Sequence, residues 1–358
     1  MTRRLLLTGS PAQRGREHGS PFPDEIQAYT EDRIVLVMQG SWSGGRNLSR
    51  TEVLGVADSL IRPHAEYAPD LFREMESMAD AAGISVPEAI IVGGFTDFID
   101  VVRGAFDAAP EDDTCTAMIV PAASSASGNP LYAQTWDMHD SATQHVVLFE
   151  IEDIEHPRAF VFTTLGCAGQ MGMNEAGITV GINNLTAAQG QIGVTWPFVV
   201  RKALQQTTVD HAVKTITESP VAGAHNYMVM GPNGTGVNIE VMPQAFHVTE
   251  VVERAYVHTN HCLYGETEAF QAGKAPQLME SSRSRKQRAE AMLSEGPIDA
   301  ERLMEITRDN QAVCQVSRPP YHIESCGAAV MSPATGDFWA VAGRPDQNQY
   351  EHFSFGRA

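Results

Sequence analysis

The sequence predicts an α+β fold in which two β-sheets pack face to face between layers of helix. Apolar residues recur at helical spacing through much of the first hundred residues, whereas the chain after Cys115 alternates between β-rich runs and pairs of amphipathic helices. The order of segments is therefore helices, strands, helices, strands, helices, strands. Two sheets enclosed by helical layers accommodate that order, because each sheet can then bury both of its faces.

The N-terminal third is predicted to be helical. One helix, interrupted near its middle, is expected over residues 51–83, and a second is expected over residues 87–102 with Ser85 as its cap. The segment 103–114 reads RGAFDAAPEDDT, which is rich in small and acidic residues, and it is predicted to be an exposed loop. No internal repeat or low-complexity linker divides the chain, so one compact unit is expected.

The later elements are predicted from periodicity and from turn residues. Apolar runs bounded by Gly, Pro or Asn predict strands, and paired runs with a short polar turn predict hairpins. The predicted strands are 115–121, 130–138, 145–153, 158–166 and 177–185, followed by hairpins over 226–242 and 328–343 that turn at Asn233-Gly234 and at Thr335-Gly336-Asp337. The predicted helices are 197–206, 211–219, 284–296 and 299–310.

The composition excludes several classes of protein. The chain carries a formal net charge of −19 without a basic tract, so binding to nucleic acid or to an anionic membrane surface is not expected. A signal-peptide core and a run of 18 apolar residues are both absent, which favours a cytoplasmic protein. The five cysteines are widely spaced and form no CxxC pair. Free thiols in a reducing compartment are therefore expected, with no metal site and no cofactor.

The stretch PEDDTCTAMIV, residues 110–120, places a lone cysteine between an acidic loop and an apolar strand. Cys115 could be a small hydrophobic residue at the start of a strand, because free cysteines are often buried. It could also be a nucleophile. If the Thr114–Cys115 bond were cut, Cys115 would carry a free α-amine with a pKa near 8, and this amine could accept the thiol proton without a histidine.

Eight segments of the chain resemble, in the same order, the acyl-CoA:6-aminopenicillanic acid acyltransferase family of cysteine N-terminal-nucleophile hydrolases. They are RGREHG at 14–19, DTCTAMIV at 113–120, YAQTWDM at 132–138, GMNEAGITVGINNL at 172–185, HNYMV at 225–229, HTNHC at 258–262, SSRSRKQR at 281–288 and VMSPATGDFWAVAGRP at 330–345. The resemblance spans nearly the whole chain. It implies a four-layer αββα sandwich and a precursor that cuts itself ahead of the cysteine.

The resemblance also implies roles for individual residues. On the matching positions, Cys115 is the nucleophile and Asp137 is the acid beside the new α-amine. Asn260 donates to the oxyanion. Asn183 is expected to be the second donor, with Asn184 as the alternative because the register is uncertain by one residue.

Further positions follow from the same comparison. Arg285 is expected to brace the site, and Gln134, Thr135 and Trp136 are expected to contact the substrate together with Asn184. The distant bile salt hydrolases carry an arginine at the position of Gln134. Family members often have glycine before the cysteine, where this chain has Thr114, so the cleavage at Thr114–Cys115 is expected to be slower or assisted by a threonine hydroxyl.

These residues predict a self-processing cysteine amidohydrolase that acts on a small N-acylated compound through a thioester. Residues 1–114 would be a helical pro-segment retained as the small subunit, and 115–358 would be the catalytic subunit of the resulting heterodimer, which could oligomerise further. Three alternatives stay open. They are an acyltransferase that passes the acyl group to an amine such as a β-lactam nucleus, a histidine-assisted cysteine hydrolase that is never cut, and a silent scaffold that only binds a ligand or partner.

Overall fold

A computed structural model describes residues 2–40, 47–106 and 114–356. Residues 107–113, which make up most of the predicted acidic loop, lie outside the described residues. The described strands are β1 (Arg4–Thr8), β2 (Thr114–Val120), β3 (Leu131–His139), β4 (Val146–Glu152), β5 (Ala159–Thr164), β6 (Met171–Asn174), β7 (Thr179–Asn184), β8 (His225–Met230), β9 (Gly236–Val241), β10 (Phe246–Val251), β11 (Tyr256–His258), β12 (Ile323–Ser332), β13 (Asp337–Ala342) and β14 (Glu351–Ser354).

The described helices fall into three groups along the chain. The N-terminal group is α1 (Pro11–Gly19), α2 (Pro23–Met38), α3 (Arg50–Asp58), α4 (Ile61–Tyr67), α5 (Pro69–Ala82), α6 (Val86–Gly93) and α7 (Phe95–Phe106). The second group is α8 (Trp196–Ala203) and α9 (Val209–Thr217), and the third is α10 (Gly265–Glu268), α11 (Pro276–Ser294) and α12 (Ala300–Thr307). Short 3₁₀ turns follow β2 and β3.

The strands form two sheets. Sheet A has eight strands in the order β1-β4-β5-β6-β7-β8-β9-β10, and sheet B has six in the order β11-β2-β3-β12-β13-β14. Neighbouring strands are antiparallel except for β1 and β4, which are parallel. Strand β2 packs against β7 and β8 across the space between the sheets. Helices α8 and α9 cover the outer face of sheet A, and α11 and α12 cover that of sheet B. The predicted αββα layer order is confirmed.

The two sheets are in close contact beside the middle of β7. Gly181 faces Tyr132 and Gln134 of β3, and a β-carbon at residue 181 would lie 1.7 Å from the Tyr132 hydroxyl. The Gln134 side chain donates to Ile182 O at 2.5 Å and accepts from Ile182 N at 3.0 Å. One side chain of sheet B therefore satisfies a backbone donor and a backbone acceptor of sheet A.

The RGREHG segment lies in α1, where it packs the N-terminal helices together. Gly15 and Gly19 face α5, and a β-carbon at Gly15 would lie 2.1 Å from the Glu74 carbonyl oxygen. The buried Glu74 carboxylate accepts from Arg14 at 2.8 Å and from Arg201 of α8 at 2.9 Å. His18 accepts from Gly166 N at 2.9 Å. The motif therefore joins the helical segment to sheet A and to α8.

The structure divides the predicted N-terminal helices further. The 87–102 helix is two helices, α6 and α7, because the chain breaks at Gly94, where a β-carbon would lie 2.4 Å from the Thr195 side chain. Ser85 caps α6 through a reciprocal bond with Glu88, as its position predicted. The 51–83 segment is three helices, and Pro69 begins the third. The sequence patterns predict no strand at β1, β6, β10, β11 or β14. Four of these, β1, β10, β11 and β14, are the edge strands of the two sheets, and β6 has only four residues.

The close approach of α1 and α5 leads to a stability prediction. Gly15→Ala should lower the free energy of unfolding by about 1–3 kcal/mol, because the added methyl group collides with rigid backbone rather than a movable side chain. Gly55→Ala is the matched control, since Gly55 lies inside α3 with open space around its α-carbon and the change should stabilise the protein by up to about 1 kcal/mol. Urea unfolding measures both. Equal effects would contradict the packing described for α1.

Candidate active site

Cys115 lies near the start of β2, between β11 and β3. It is paired with Trp136, and both side chains point into the apolar layer between the two sheets. The side chains of Met118 and Val120 point to the opposite face of β2 and pack in the cluster that α11 and α12 form with sheet B. The Cys115 side chain is 1% exposed in the uncut chain. The strand pattern therefore places the thiol at the inter-sheet face and leaves the other face of β2 to α11.

The backbone of Cys115 is held by two of the predicted site residues. Cys115 N donates to Asn260 Oδ1 at 2.7 Å, and Cys115 O accepts a hydrogen bond from Arg285 Nη1. The same guanidinium donates through Nη2 to Asn260 Oδ1 at 2.9 Å and through Nη1 to Thr116 Oγ1 at 3.1 Å. Arg285 is buried on α11. One planar guanidinium therefore holds the Cys115 backbone in a fixed position relative to Asn260.

Asp137 lies opposite Thr114 on β3, so its carboxylate is on the face of sheet B that α11 covers rather than on the Cys115 side-chain face. It is fully buried and accepts from Ser325 Oγ at 2.5 Å and from Thr114 Oγ1 at 3.2 Å. Burial raises the pKa of Asp137 to about 6, although the Arg285 charge and the hydroxyl donors oppose that rise. A positive charge placed at the Cys115 nitrogen would favour the ionised carboxylate.

Asn260 follows β11 and connects the two sheets. Its Nδ2 carries two hydrogens and donates one to Asn184 O at 3.0 Å, at the end of β7. Its backbone N–H donates to Ser282 Oγ at 2.9 Å. Ser282 lies one helical turn before Arg285 on α11. The helix therefore holds Asn260 at both its backbone and its side chain.

The two asparagines at the end of β7 have different surroundings. Asn183 lies two residues after Gly181, so its side chain points to the same face of sheet A, toward sheet B. Its Oδ1 accepts a hydrogen bond from Asn226 at 3.3 Å. Its buried Nδ2 has no hydrogen-bond partner among the described residues. The Asn184 side chain bonds instead to the N–H and hydroxyl of Thr186, a residue whose φ of 67° is left-handed. Of the two, Asn183 therefore has the amide donor that faces the Cys115 layer.

The other predicted substrate-contact positions have partners within the protein. Gln134 makes the inter-sheet bonds to Ile182, and Thr135 Oγ1 accepts from Thr116 N at 3.2 Å. Trp136 lines a cavity of about 20 Å³ whose wall also contains Phe95. These three side chains are almost fully buried in the uncut chain.

Two hydroxyl residues of the site were missed from the sequence. Ser325 donates to Asp137 from β12, and Ser282 accepts from the Asn260 backbone. An isolated serine on a strand carries no signal of such a role. Ser282 could have been inferred from its spacing of three residues from Arg285, which places both on one face of a helix.

The remaining thiols differ from a reactive cysteine. Burial raises the pKa of Cys167 to about 11 and of Cys314 to about 12, and it raises the pKa of Cys262 and Cys326 further. Low-pKa thiolates are the reactive form, so these four cysteines are expected to be inert. Across residues 2–40, 47–106 and 114–356, no group of three or more His, Cys, Asp or Glu side chains is placed to bind one metal ion.

Comparison with known proteins assigns the family. The profile of the acyl-coenzyme A:6-aminopenicillanic acid acyl-transferase family matches residues 124–347, which is more than half of the chain. The chain belongs to this family. It is therefore an enzyme of the amide-bond hydrolase and acyltransferase class.

Individual relatives are more distant. A curated relative, the 40 kDa form of acyl-coenzyme A:6-aminopenicillanic-acid-acyltransferase from Emericella nidulans, is 24% identical over 262 residues, which cover 72% of this chain and 69% of its own length. Two of the similar solved structures are a variant of the conjugated bile acid hydrolase from Clostridium perfringens and the penicillin V acylase from Agrobacterium tumefaciens. Both are 12% identical, with TM-scores of 0.46 and 0.43. They cover 68% and 67% of this chain, and 98% and 86% of their own chains. Among the described helices, none has the length and apolarity needed to cross a bilayer.

The buried Asp137 carboxyl leads to a prediction about pH. Because its folded pKa of about 6 exceeds the ordinary value of 3.8, the folded chain holds the proton more tightly than the unfolded chain does. In a Cys115→Ala background, which keeps a single covalent form, stability should therefore fall by about 2 kcal/mol between pH 4 and pH 6 relative to the same background carrying Asp137→Asn. Urea unfolding at pH 4, 5, 6 and 7 measures the difference. A difference that does not change with pH would show that Asp137 is not perturbed.

Proposed function

We propose that the protein is a self-processing cysteine amidohydrolase in which Cys115 is the nucleophile. One observation carries the proposal. Residues as far apart in the chain as Cys115, Asn260 and Arg285 meet in one buried hydrogen-bonded cluster around the Cys115 backbone, with the Asp137 carboxyl on the adjoining face of β3. A structural cysteine at a strand end would need no such arrangement of a guanidinium, an amide and a carboxyl.

Self-cleavage begins with attack of Cys115 Sγ on the carbonyl carbon of Thr114. The resulting oxyanion collapses with breakage of the Thr114–Cys115 C–N bond, and the thiol proton ends on the departing Cys115 nitrogen. Residue 114 is then joined to Sγ as a thioester, which water hydrolyses to a carboxylate and a free thiol. The Thr114 hydroxyl is bound to Asp137 at 3.2 Å, which favours a fixed orientation of this residue before attack.

The mature site would use the freed α-amine of Cys115 as its base. The amine accepts the Sγ proton and the thiolate attacks the acyl carbonyl of the substrate. The second hydrogen on Asn260 Nδ2 and the Nδ2 group of Asn183 serve as donors to the oxyanion. Asp137 stabilises the protonated amine, which then returns its proton to the departing amine product. Water hydrolyses the thioester and restores the thiol.

The two fragments would stay together after the cut. Buried polar contacts join the segment before Thr114 to the segment after it. Asp97 Oδ2 accepts from Trp196 N at 2.7 Å, and Asp100 Oδ2 accepts from Ala187 N at 2.9 Å. Separation of the fragments would leave these buried groups without partners, at a cost of a few kcal/mol for each charged group. We therefore place residues 1–114 in the mature enzyme as its small subunit.

The substrate is proposed to be a small N-acylated compound, with water as the acyl acceptor. The chain has a formal net charge of −19, which is unfavourable for binding the phosphates of a coenzyme and therefore favours hydrolysis over acyl transfer to another amine. A screen of N-acyl amino acids, acylated amines and penicillins for released amine identifies the substrate, and added amines test for transfer. None of the five cysteines is in a disulfide, which fits a reducing compartment such as the cytoplasm.

A histidine-assisted mechanism without cleavage is less well supported. The two histidines that flank Asn260 in the chain are used elsewhere. His258 contacts Thr259 O and Glu240, and Nδ1 of His261 lies 2.7 Å from Ser282 Oγ. Burial and nearby positive charges lower the pKa of His261 to about 4.

Processing provides the first test of this function. The purified protein should run as two co-purifying fragments, and N-terminal sequencing of the larger one should begin Cys-Thr-Ala-Met. Cys115→Ala should stay uncut and inactive, because the variant lacks the attacking sulfur. Cys167→Ala is the matched control and should be cut at the wild-type rate. An intact wild-type chain with full activity would rule out the α-amine mechanism.

The role of Asn260 is tested by truncation. Asn260→Ala should lower kcat about 10²- to 10³-fold with KM little changed, because the oxyanion forms only on the way to the intermediate. Turnover of p-nitrophenyl acetate and the rate of self-cleavage provide the readouts. Should the variant lose stability while the folded fraction keeps its kcat, Asn260 would be a structural residue only.

A further inference from the structure

A buried histidine–carboxylate pair lies next to Asn260 and has no part in the chemistry described above. His258 ends β11, where it pairs with Ala117 of β2, and Glu240 belongs to β9 of the opposite sheet. His258 Nε2 and Glu240 Oε1 are 2.9 Å apart, and both side chains are 0% exposed. The pair therefore crosses the space between the sheets beside Ala117, which lies two residues after Cys115.

Both nitrogens of the His258 ring face acceptors. Nδ1 lies 2.7 Å from Thr259 O, and Nε2 faces the Glu240 carboxylate. Burial alone would raise the pKa of Glu240, but hydrogen bonds from His258, Thr267 and Leu263, together with the His258 charge, hold the pKa below its ordinary value.

Glu240 also binds the far end of the same loop. Its Oε1 accepts from Leu263 N at 2.7 Å, and its Oε2 accepts from the Thr267 hydroxyl. One carboxylate therefore contacts the first and last residues of the segment 258–263, and Asn260 lies between them. Helix α11 holds the middle of this segment through Ser282 and Arg285.

We propose that His258 and Glu240 are positioning residues that hold the 258–263 loop so that Asn260 faces the carbonyl attacked by Cys115. The inference rests on the function proposed above. Neither residue touches the reacting atoms, so their contribution is to the orientation of the Asn260 amide. A donor displaced by about 1 Å can lose on the order of 10²-fold in rate, which makes such a support kinetically important.

A purely structural pair would behave differently. Buried ion pairs stabilise proteins little, since desolvation offsets most of their attraction, and removal of one partner leaves an uncompensated charge that destabilises the fold. A structural role therefore predicts lower stability for each single variant and a normal kcat for the molecules that remain folded. A positioning role predicts a loss of kcat in folded protein.

The test is a double-mutant cycle with Glu240→Gln, His258→Gln and the double variant. The double variant buries no charge and can form an amide–amide hydrogen bond, so it keeps the cycle informative if a single variant folds poorly. For each variant the self-cleavage rate is measured during cell-free synthesis, and kcat and KM are measured with p-nitrophenyl acetate. Thermal unfolding gives the stability of each variant. Rates are normalised to folded protein. Glu74→Gln is the matched control, because Glu74 is a buried, ion-paired carboxylate remote from Asn260.

Each single variant should lower kcat and the self-cleavage rate by 10- to 100-fold with KM within twofold. The double variant should lose no more than the worse single variant, because the two residues act as one unit. Glu74→Gln should lower the unfolding temperature without lowering kcat. Normal kcat in Glu240→Gln, or losses that multiply in the double variant, would overturn the proposal. If Asn260→Ala and Cys115→Ala are active too, the proposed function itself fails; if only the Glu240 and His258 variants are active, this inference alone fails.

Discussion

The close packing of the two sheets beside Gly181 is the constraint on which the site depends. Only a residue without a β-carbon leaves room for Tyr132 and Gln134 of the facing strand, and Gln134 then binds both backbone polar groups of Ile182. Buried backbone groups must be paired, so this contact fixes the relative position of β3 and β7. Because β2 is paired with β3, the position of Cys115 relative to the end of β7 is fixed by the same contact.

The polar groups around Cys115 are divided between two faces of one sheet. The thiol points toward sheet A, whereas the carboxyl of Asp137 and the guanidinium of Arg285 lie on the α11 side. The backbone of β2 separates the thiol from these two charged groups. The backbone nitrogen of Cys115 can be reached from both faces of the sheet. This division lets a carboxyl group and a cation be buried close to the Cys115 backbone without occupying the inter-sheet layer into which the thiol points. Each charge has partners, which is the condition for its burial.

The N-terminal helices are part of the same structural unit. The Glu74 carboxylate joins α5 to Arg14 of α1 and to Arg201 of α8, and Asp100 binds the loop that follows β7. That loop includes the left-handed Thr186, two residues from the carbonyl that accepts from Asn260. Through Asp100 the helical segment therefore contacts the loop beside the site, although it supplies none of the groups proposed to react.

The sequence by itself determined the local features of this protein. The order of segments, the β2–β3 hairpin, the turn at Asn233-Gly234 and the cap at Ser85 follow from periodicity and turn chemistry within a few residues. The place of Cys115 at the joint of a loop and a strand was visible in the same way. The order of segments already fitted two sheets between layers of helix, and the resemblance of ordered segments to a known family specified the four-layer αββα arrangement.

Only the tertiary structure decided which distant side chains meet. The break between α6 and α7 lies at Gly94, where the Thr195 side chain leaves no room for a β-carbon. The Ser325 bond to Asp137 and the His258–Glu240 pair likewise join different strands. The distinction between Asn183 and Asn184 also required the structure, because a shift of one residue reverses the face of the sheet to which a side chain points. Local periodicity depends on neighbours along the chain, whereas these contacts depend on how two sheets and their helices pack, and that information is spread over the whole sequence.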